Sequence, residues 1–183
     1  MTVTFIRHAA RSSHQSLAKP TPHLSGVIDD PSLNDLGHRQ AQVLAEFSVD
    51  GAKIPRPTHL YSSPRKRAQE TLAPTSAALN LKIKIDPRLD ECRSSENATE
   101  FRQRIVSLIN EFAAQAADPK MKFGEIYVCS HFDWLETVLP LLPSDLKDSE
   151  ITAGWGHCEF RVFEISDGLW KFLKGGRITA TEG

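Results

Sequence analysis

Four side chains that can bind or attack an anion follow closely behind predicted β-strands in this sequence: Arg7, His8, Arg67 and His131. Ligands of open α/β sheets bind beyond the carboxyl ends of the strands, so these side chains are expected to meet in one cleft if the sheet is parallel. A guanidinium can bind two phosphate oxygens at once, and an imidazole can serve as a nucleophile or as a further cation. The pattern therefore predicts a cationic pocket for a phosphate dianion, where phosphoryl transfer is promoted by positioning and electrostatic stabilisation.

The elements that must position these residues alternate along the chain between strands and helices. Strands are predicted at Thr2 to Ile6, Thr58 to Ser62, Leu81 to Ile85 and Glu125 to Ser130, followed by a hairpin of Cys158 to Ile165 and Leu169 to Leu173. Helices are predicted after Asn34, after Ser63, over about Ala98 to Ala117 and from near Asp133. This alternation predicts an α/β fold, a three-layer sandwich with a mostly parallel central sheet and an antiparallel edge.

Several residues in the sequence predict where these helices and loops begin and end. Residues 8–31 are rich in Ser, Thr, Pro, Gly and Asp, which predicts a long functional loop before the Asn34 helix N-cap. The helix that follows is expected to bury one face, made of Leu36, Val43, Leu44 and Phe47. Ser63 and Pro64 are expected to start the second helix. Pro74 should kink or end that helix, because proline lacks the N–H that would bond four residues back.

Length, composition and charge exclude several classes of protein. The 183 residues, 40% hydrophobic and 25% charged, predict a single domain over residues 1–183. The 22 Lys and Arg against 23 Asp and Glu leave a net charge of −1, so no general positive field exists to hold a nucleic acid. The three cysteines fit neither a disulfide framework nor a metal site, and no signal peptide or membrane span is recognisable. We therefore expect a soluble, cytoplasmic protein without nucleic-acid or membrane partners, of undetermined oligomeric state.

Short blocks of this sequence resemble the histidine phosphatase superfamily, also called phosphoglycerate mutase-like, in the same order along most of the chain. The family's RHG is similar to residues 7–9 (RHA), and its L-T-x-x-G-x-x-Q-A is similar to residues 33–41. Its S-S-x-x-x-R-A-x-x-T is similar to residues 62–71. Its L-x-E is similar to residues 89–91, and its late S-H is similar to residues 130–131. A lone RH dipeptide would be a weak signal, whereas ordered blocks in a compatible strand and helix context are specific. At 183 residues the chain resembles the small phosphatases of the family more than its mutases.

The resemblance implies roles for five residues. His8 is the nucleophile that becomes phosphorylated, and His131, Arg7 and Arg67 hold the transferred phosphoryl group. Glu91 protonates the leaving oxygen and then activates the water that hydrolyses the phosphohistidine. Covalent catalysis of this kind divides one difficult displacement into two easier ones. No metal and no cofactor are implied, because cationic side chains neutralise the phosphate.

The sequence departs from the family's pattern beside these residues. The glycine after the nucleophile is Ala9, which would cost roughly 1 to 2 kcal/mol if a positive φ were required; we expect that this position supplies only a carbonyl to orient the imidazole. His14 stands where mutase-like members have asparagine, and is either a substrate-binding residue that donates to the phosphate or an exposed loop histidine. A glycine pair is replaced by Phe132 and Asp133, and Asp133 is the alternative to Glu91 as the proton donor.

Other chemically capable residues have simpler interpretations. Arg65 and Lys66 are expected on a solvated helix face, and Cys129 in a buried strand. The remaining histidines, His157 among them, lack the spacing of metal ligands, which favours surface or hydrogen-bonding roles.

These observations together predict a metal-independent phosphatase. Its substrate would be a phosphomonoester or protein phosphohistidine, on a phosphorylated small molecule or a phosphoprotein, hydrolysed through a covalent intermediate on His8. A phosphoglycerate mutase-type transferase and a non-catalytic phosphate-binding module remain alternatives, the second because of Ala9, Phe132 and Asp133.

Overall fold

The structure is a computed structural model that describes residues 1–12, 30–118 and 124–180. In these ranges, one six-stranded sheet contains β1 (Thr2–Arg7), β2 (His59–Ser62), β3 (Ile83–Ile85), β4 (Glu125–Ser130), β5 (Glu159–Ser166) and β6 (Leu169–Arg177). The strands lie in the order β3-β2-β4-β1-β5-β6. The central strands β1 and β4 are almost wholly buried and rich in β-branched and aromatic residues, which pack well on a pleated surface.

Strand directions divide the sheet into two parts. Strand β1 is parallel to β4, and β2 is parallel to both β4 and β3. Strands β5 and β6 complete the other edge in antiparallel orientation. The predicted α/β fold, with a mostly parallel sheet and an antiparallel edge, is therefore confirmed.

Helices follow the parallel strands, as the alternation along the sequence predicts. They are α1 (Asp35–Asp50), α2 (Lys66–Leu79), α3 (Ala98–Ala117), α4 (Phe132–Val138) and α5 (Asp148–Ile151), with 3₁₀ turns at Pro87–Leu89 and Leu139–Leu141. Two hydrophobic clusters cover the two faces of the sheet: one joins α3 and α4 to residues such as Phe5 and Val128, and the other joins α1 and α2 to residues such as Leu60 and Tyr127. Side chains alternate between the faces of a strand, which is why Tyr127 and Val128 belong to different clusters.

Helix α1 starts as predicted, and Leu44, Val43 and Phe47 of the expected face pack against the core, together with small and polar residues. The Asn34 side chain accepts a hydrogen bond from the Gly37 N–H at 2.8 Å. Of the four residues expected to face the core, only Leu44 is fully buried. The helix mainly buries small and polar residues, namely Gly37, Gln40, Ala41, Ala45 and Ser48. The reason is close packing, since a Cβ built on Gly37 would lie 1.9 Å from the Ala10 carbonyl oxygen.

Helix α2 corrects three expectations. It begins at Lys66 with Arg65 in the N-cap position, so Ser63 does not cap it. It continues through Pro74 to Leu79, because packing against α1 and the sheet holds the helix together across the missing hydrogen bond. Arg65 is not on a solvated face: only 14% of its side chain is exposed, and it forms an ion pair with Asp90 at 2.8 Å.

Candidate active site

The carboxyl ends of β1, β2 and β4 meet at one edge of the sheet. Arg7 lies opposite Ser130 in the β1–β4 pair, and Ser62 lies opposite Cys129 in the β2–β4 pair. The residues that follow these strands are consequently neighbours, although they are far apart in sequence. The His8 and His131 rings have centroids 5.3 Å apart.

His8 is held in one tautomer by its own backbone neighbourhood. Its Nδ1–H donates to the Ala9 carbonyl at 2.8 Å, which leaves Nε2 without a proton and able to attack. Burial is the main cause that lowers the pKa of His8 to about 3, although the hydrogen bond to Ala9 opposes this shift. The nearby Arg67 and Arg7 lower it further. The imidazole is therefore neutral at physiological pH, the state that a nucleophile requires.

Ala9 fits the place of the family's glycine without backbone strain. Residues with positive φ in the described ranges do not include Ala9. Its carbonyl orients His8, and its N–H donates to Thr71 Oγ1 at 2.9 Å. The expectation that only the carbonyl matters at this position agrees with this geometry.

His131 is the second buried imidazole of the pocket. Its Nε2 lies 2.7 Å from Ser63 Oγ, which itself accepts a hydrogen bond from the Arg65 N–H. The Ser63 hydroxyl proton is thus available to Nε2, and this arrangement leaves the ring proton on Nδ1. That Nδ1 is buried and has no hydrogen-bond partner among the described residues. Burial, reinforced by Arg67 and His8, lowers the pKa of His131 to about 2.

Two arginines lie close enough to both imidazoles to lower their pKa values. The Arg7 guanidinium donates to the Trp155 carbonyl and lies with its Cζ 5.0 Å from the centroid of the Phe132 ring. Arg67 extends from the first turn of α2 and is 4% exposed. Burial is the largest cause that lowers the pKa of each arginine, yet both remain cations. The Nε of each has no partner in the part of the chain that the structure describes.

Glu91 and Asp133, the two candidate proton donors, differ in their contacts. Glu91 Oε2 accepts from Arg67 Nη2 at 2.5 Å, while a third of its side chain is exposed. Asp133 instead accepts from the Cys92 and Trp134 N–H groups, at 2.6 and 2.9 Å. The Asp133 carboxylate therefore joins the segment after Glu91 to the start of α4, whereas Glu91 contacts Arg67 directly.

The structure brings together five of the six predicted site residues: Arg7, His8, Arg67, Glu91 and His131. The sixth, His14, lies outside the described residues. No group of three or more His, Cys, Asp or Glu in residues 1–12, 30–118 and 124–180 is arranged to hold a metal ion, and metal independence stays a prediction. Within the same ranges, no helix is long and apolar enough to cross a membrane.

Four supporting residues were not assigned a role from the sequence. Ser63 contacts His131, and Thr71 accepts a hydrogen bond from the Ala9 N–H. Gln40 Oε1 accepts a hydrogen bond from the Ala10 N–H at 2.9 Å. All three belong to the sequence blocks that resemble the family. Their place in these blocks is the feature of the sequence that could have indicated a role near the site. His157 is different: its ring centroid lies 5.5 Å from that of His8, yet no pattern around it in the sequence indicates this position.

Comparison with known proteins agrees with this geometry. The family model of the histidine phosphatase superfamily (branch 1) matches residues 3–95, about half of the chain. Similar solved structures include the protein histidine phosphatase SixA complexed with tungstate, with 16% identity, 96% of each chain covered and a TM-score of 0.68. A mycobacterial glucosyl-3-phosphoglycerate phosphatase is 17% identical over 88% of this chain and 89% of that one, with a TM-score of 0.62. A phosphoserine phosphatase mutant from Entamoeba histolytica, in complex with phosphoserine, is 16% identical over 95% of each chain, with a TM-score of 0.66.

The similar structures establish a shared fold. The family match supports more than the fold, because the matched residues include Arg7, His8, Arg67 and Glu91. The resemblance noted in the sequence is thereby confirmed: the chain belongs to the histidine phosphatase superfamily and is an enzyme of the phosphatase class.

Proposed function

We propose that this protein hydrolyses a phosphomonoester or a protein phosphohistidine through a covalent phosphohistidine on His8. The observation that carries the proposal is the state of His8, a neutral imidazole fixed through Nδ1 and flanked by two arginines. A histidine buried for structural reasons alone has no need of two neighbouring guanidiniums. A phosphate dianion does need them, because its charge must be balanced when it leaves water.

Three nitrogen atoms of the arginines and histidines around His8 lack hydrogen-bond partners among the described residues. Arg7 Nε, Arg67 Nε and His131 Nδ1 are buried without a hydrogen-bond partner among the described residues. Buried donors usually have partners, and leaving one unpaired costs about 1 to 3 kcal/mol. Phosphoryl oxygens would satisfy such donors, which supports an oxyanion as the ligand.

The reaction then proceeds in two balanced steps. His8 Nε2 attacks phosphorus, the bond from phosphorus to the leaving atom breaks, and Glu91 gives a proton to that atom, which is the oxygen of a phosphomonoester or the imidazole nitrogen of a phosphohistidine. In the second step, Glu91 takes a proton from water, the water oxygen attacks phosphorus, and the phosphorus–nitrogen bond breaks. Inorganic phosphate leaves and His8 is regenerated.

Glu91 must be released from Arg67 for this role. In the structure its carboxylate pairs with Arg67 Nη2 at 2.5 Å and with Arg65 Nε at 3.4 Å. A bound phosphate would compete for the Arg67 N–H groups and so free the Glu91 carboxylate, which takes up a proton from solvent water before it protonates the leaving group. Arg65, together with Asp90, keeps the Glu91 segment at the pocket.

Several broader features belong to the same proposal. The substrate is a phosphorylated small molecule or a phosphoprotein, the reaction needs no metal, the chain works as a single domain, and the protein acts in the cytoplasm. The similar structures are those of a protein histidine phosphatase, a glucosyl-3-phosphoglycerate phosphatase and a phosphoserine phosphatase, which supports a phosphate ester or phosphoramidate rather than one particular substrate.

The proposal is tested by the wild-type protein and three variants. Wild type should release p-nitrophenol and inorganic phosphate from p-nitrophenyl phosphate. His8→Ala should abolish the release, and Arg67→Ala should lower kcat by about 10² to 10³, the usual effect of losing one well-aimed donor. His38→Ala, a change at an exposed histidine on α1, is the matched control and should keep full activity.

The covalent intermediate gives a second readout. Rapid quenching with ³²P-labelled substrate should label wild type with an acid-labile, base-stable phosphate, and His8→Ala should stay unlabelled. Activity that survives His8→Ala, or label that survives acid, would refute the proposed nucleophile.

A further inference from the structure

We propose that His157 is a positioning residue for Arg7, and that phosphate binding and turnover depend on the acceptor at its Nε2. This inference rests on the proposed function and adds a third imidazole to the phosphoryl site.

One loop, between α5 and β5, supplies both acceptors for the Arg7 guanidinium. Arg7 Nη1 donates to the Trp155 carbonyl, and Nη2 lies 3.4 Å from His157 Nε2. An arginine can only donate, so Nε2 must be the acceptor and the ring proton must be on Nδ1. The two contacts fix the guanidinium along one edge, while the Phe132 ring covers its face.

The loop that carries these acceptors is itself firmly held. The Cys158 N–H donates to the His8 carbonyl at 3.2 Å, which ties the loop to the nucleophile's own backbone. The buried Arg161 donates to the carbonyls of Glu150 and Gly154, at 2.7 and 2.6 Å, and its Cζ lies 4.3 Å from the centre of the Trp155 ring. A loop anchored in this way can impose a position on Arg7 rather than follow it.

The charge state of His157 suits the role of acceptor. Its ring is half-buried, 5.5 Å from His8 between centroids. Burial, followed by the positive charges of Arg7, Arg177 and Arg11, lowers the pKa of His157 to about 4. The imidazole is therefore neutral at physiological pH and keeps the lone pair that Arg7 needs.

Loss of this acceptor should weaken catalysis without unfolding the protein. The Nη2–H would lose its partner, and the guanidinium would be free to turn away from the phosphoryl group. Misplacement of a positioning group by about 1 Å can reduce the rate about 10²-fold.

Two amide variants separate the acceptor from the bulk of the side chain. In His157→Gln the amide oxygen can reach the place of Nε2, whereas in His157→Asn the amide reaches only the place of Nδ1. We expect His157→Asn to lower kcat/KM for p-nitrophenyl phosphate by about 10- to 100-fold and His157→Gln to recover most of the loss. Melting temperatures should be alike in both variants, and equal activity of Asn and Gln would overturn the proposal.

A double-mutant cycle tests whether His157 acts through Arg7. In an Arg7→Ala background, His157→Asn should cause little further loss, because the group that it positions is already gone. If the losses of kcat/KM caused by His157→Asn and Arg7→Ala multiply in the double variant, His157 acts independently of Arg7 and the inference fails.

Orthovanadate binding, measured by titration calorimetry, tests the role of His157 without any need for turnover. It therefore separates a failure of this inference from a failure of the proposed function. If wild type does not hydrolyse p-nitrophenyl phosphate, the proposed function fails, while binding still tests His157. We expect orthovanadate to bind more weakly to His157→Asn than to His157→Gln, in proportion to the loss expected in kcat/KM. Equal affinities of wild type, Asn and Gln variants would overturn the positioning role in either case.

Discussion

At the scale of single residues, one backbone carbonyl sets the chemistry of His8. The Ala9 carbonyl fixes Nδ1–H, so the reactive Nε2 depends on the backbone and not on the side chain at position 9. This is why alanine can replace the family's glycine here. The same principle separates Glu91 from Asp133, since a side chain whose oxygens are held by two backbone N–H groups is occupied as a structural acceptor.

The identity of the proton donor predicts how variants respond to the leaving group. p-Nitrophenol leaves readily as an anion, whereas an alkoxide needs a proton as the bond breaks. Glu91→Gln should therefore reduce kcat much more for an alkyl phosphate than for p-nitrophenyl phosphate. Asp133→Asn should affect both substrates equally, because it alters the acceptor for the Cys92 and Trp134 N–H groups and not the proton donor.

Steady-state kinetics of both variants with both substrates checks this prediction. The opposite pattern, a leaving-group effect in Asp133→Asn and none in Glu91→Gln, would transfer the role to Asp133.

At the scale of elements, helix α2 supports strand β1 through one hydroxyl. Thr71 Oγ1 accepts from the Ala9 N–H at 2.9 Å and donates to the Arg67 carbonyl at 2.7 Å. It therefore joins the segment after His8 to the turn that carries Arg67. Thr75, one turn later, is equally buried, but its hydroxyl has no partner among the described residues.

The two threonines form a matched pair for mutagenesis. Thr71→Val should lower the free energy of unfolding by about 1 to 3 kcal/mol, because it leaves the Ala9 N–H unpaired, and it should also lower kcat. Thr75→Val should leave both unchanged or raise stability slightly, since no hydrogen bond is lost. Urea denaturation and p-nitrophenyl phosphate kinetics measure the two effects, and equal behaviour of the variants would refute the structural role of Thr71.

Elements with a strong local pattern were predicted well, and those fixed by contacts were not. Helix α3 runs from Ala98 to Ala117 as expected, because its capping Asn97 and its apolar stripe are local signals. Helix α2 passes through Pro74, and helix α1 buries Gly37 and Gln40 in addition to the expected Leu44, because neighbouring helices and the Ala10 carbonyl decide these contacts.

At the scale of the whole molecule, two buried imidazoles and the half-buried one of His157 link stability to pH. In the folded protein the pKa values of His8, His131 and His157 are about 3, 2 and 4, below the ordinary value of 6.5. Between those values and 6.5, the unfolded chain binds protons that the folded chain does not. Stability contributed by these groups is therefore complete above about pH 6.5 and is lost as the pH falls below it.

A variant of the nucleophile should reduce this dependence. His8→Asn, which keeps an amide donor near the Ala9 carbonyl, should decrease the loss of unfolding free energy between pH 7 and pH 5 by about 2 kcal/mol. Thr75→Val removes no titratable group and should leave that loss unchanged. Urea denaturation at the two pH values provides the measurement, and an identical pH dependence of wild type and His8→Asn would contradict the neutral, buried state of His8.

The sequence by itself determined the types of the reactive residues, the ends of the strands that carry them and the family to which the chain belongs. These features are encoded locally, in short blocks and in strand and helix periodicity. Only the tertiary structure decided that His157 meets Arg7, 150 residues away, and that Glu91 rather than Asp133 faces Arg67. The physical reason is that such contacts depend on strand order, with β5 beside β1, and on loops anchored across the sheet, which no local pattern of residues specifies.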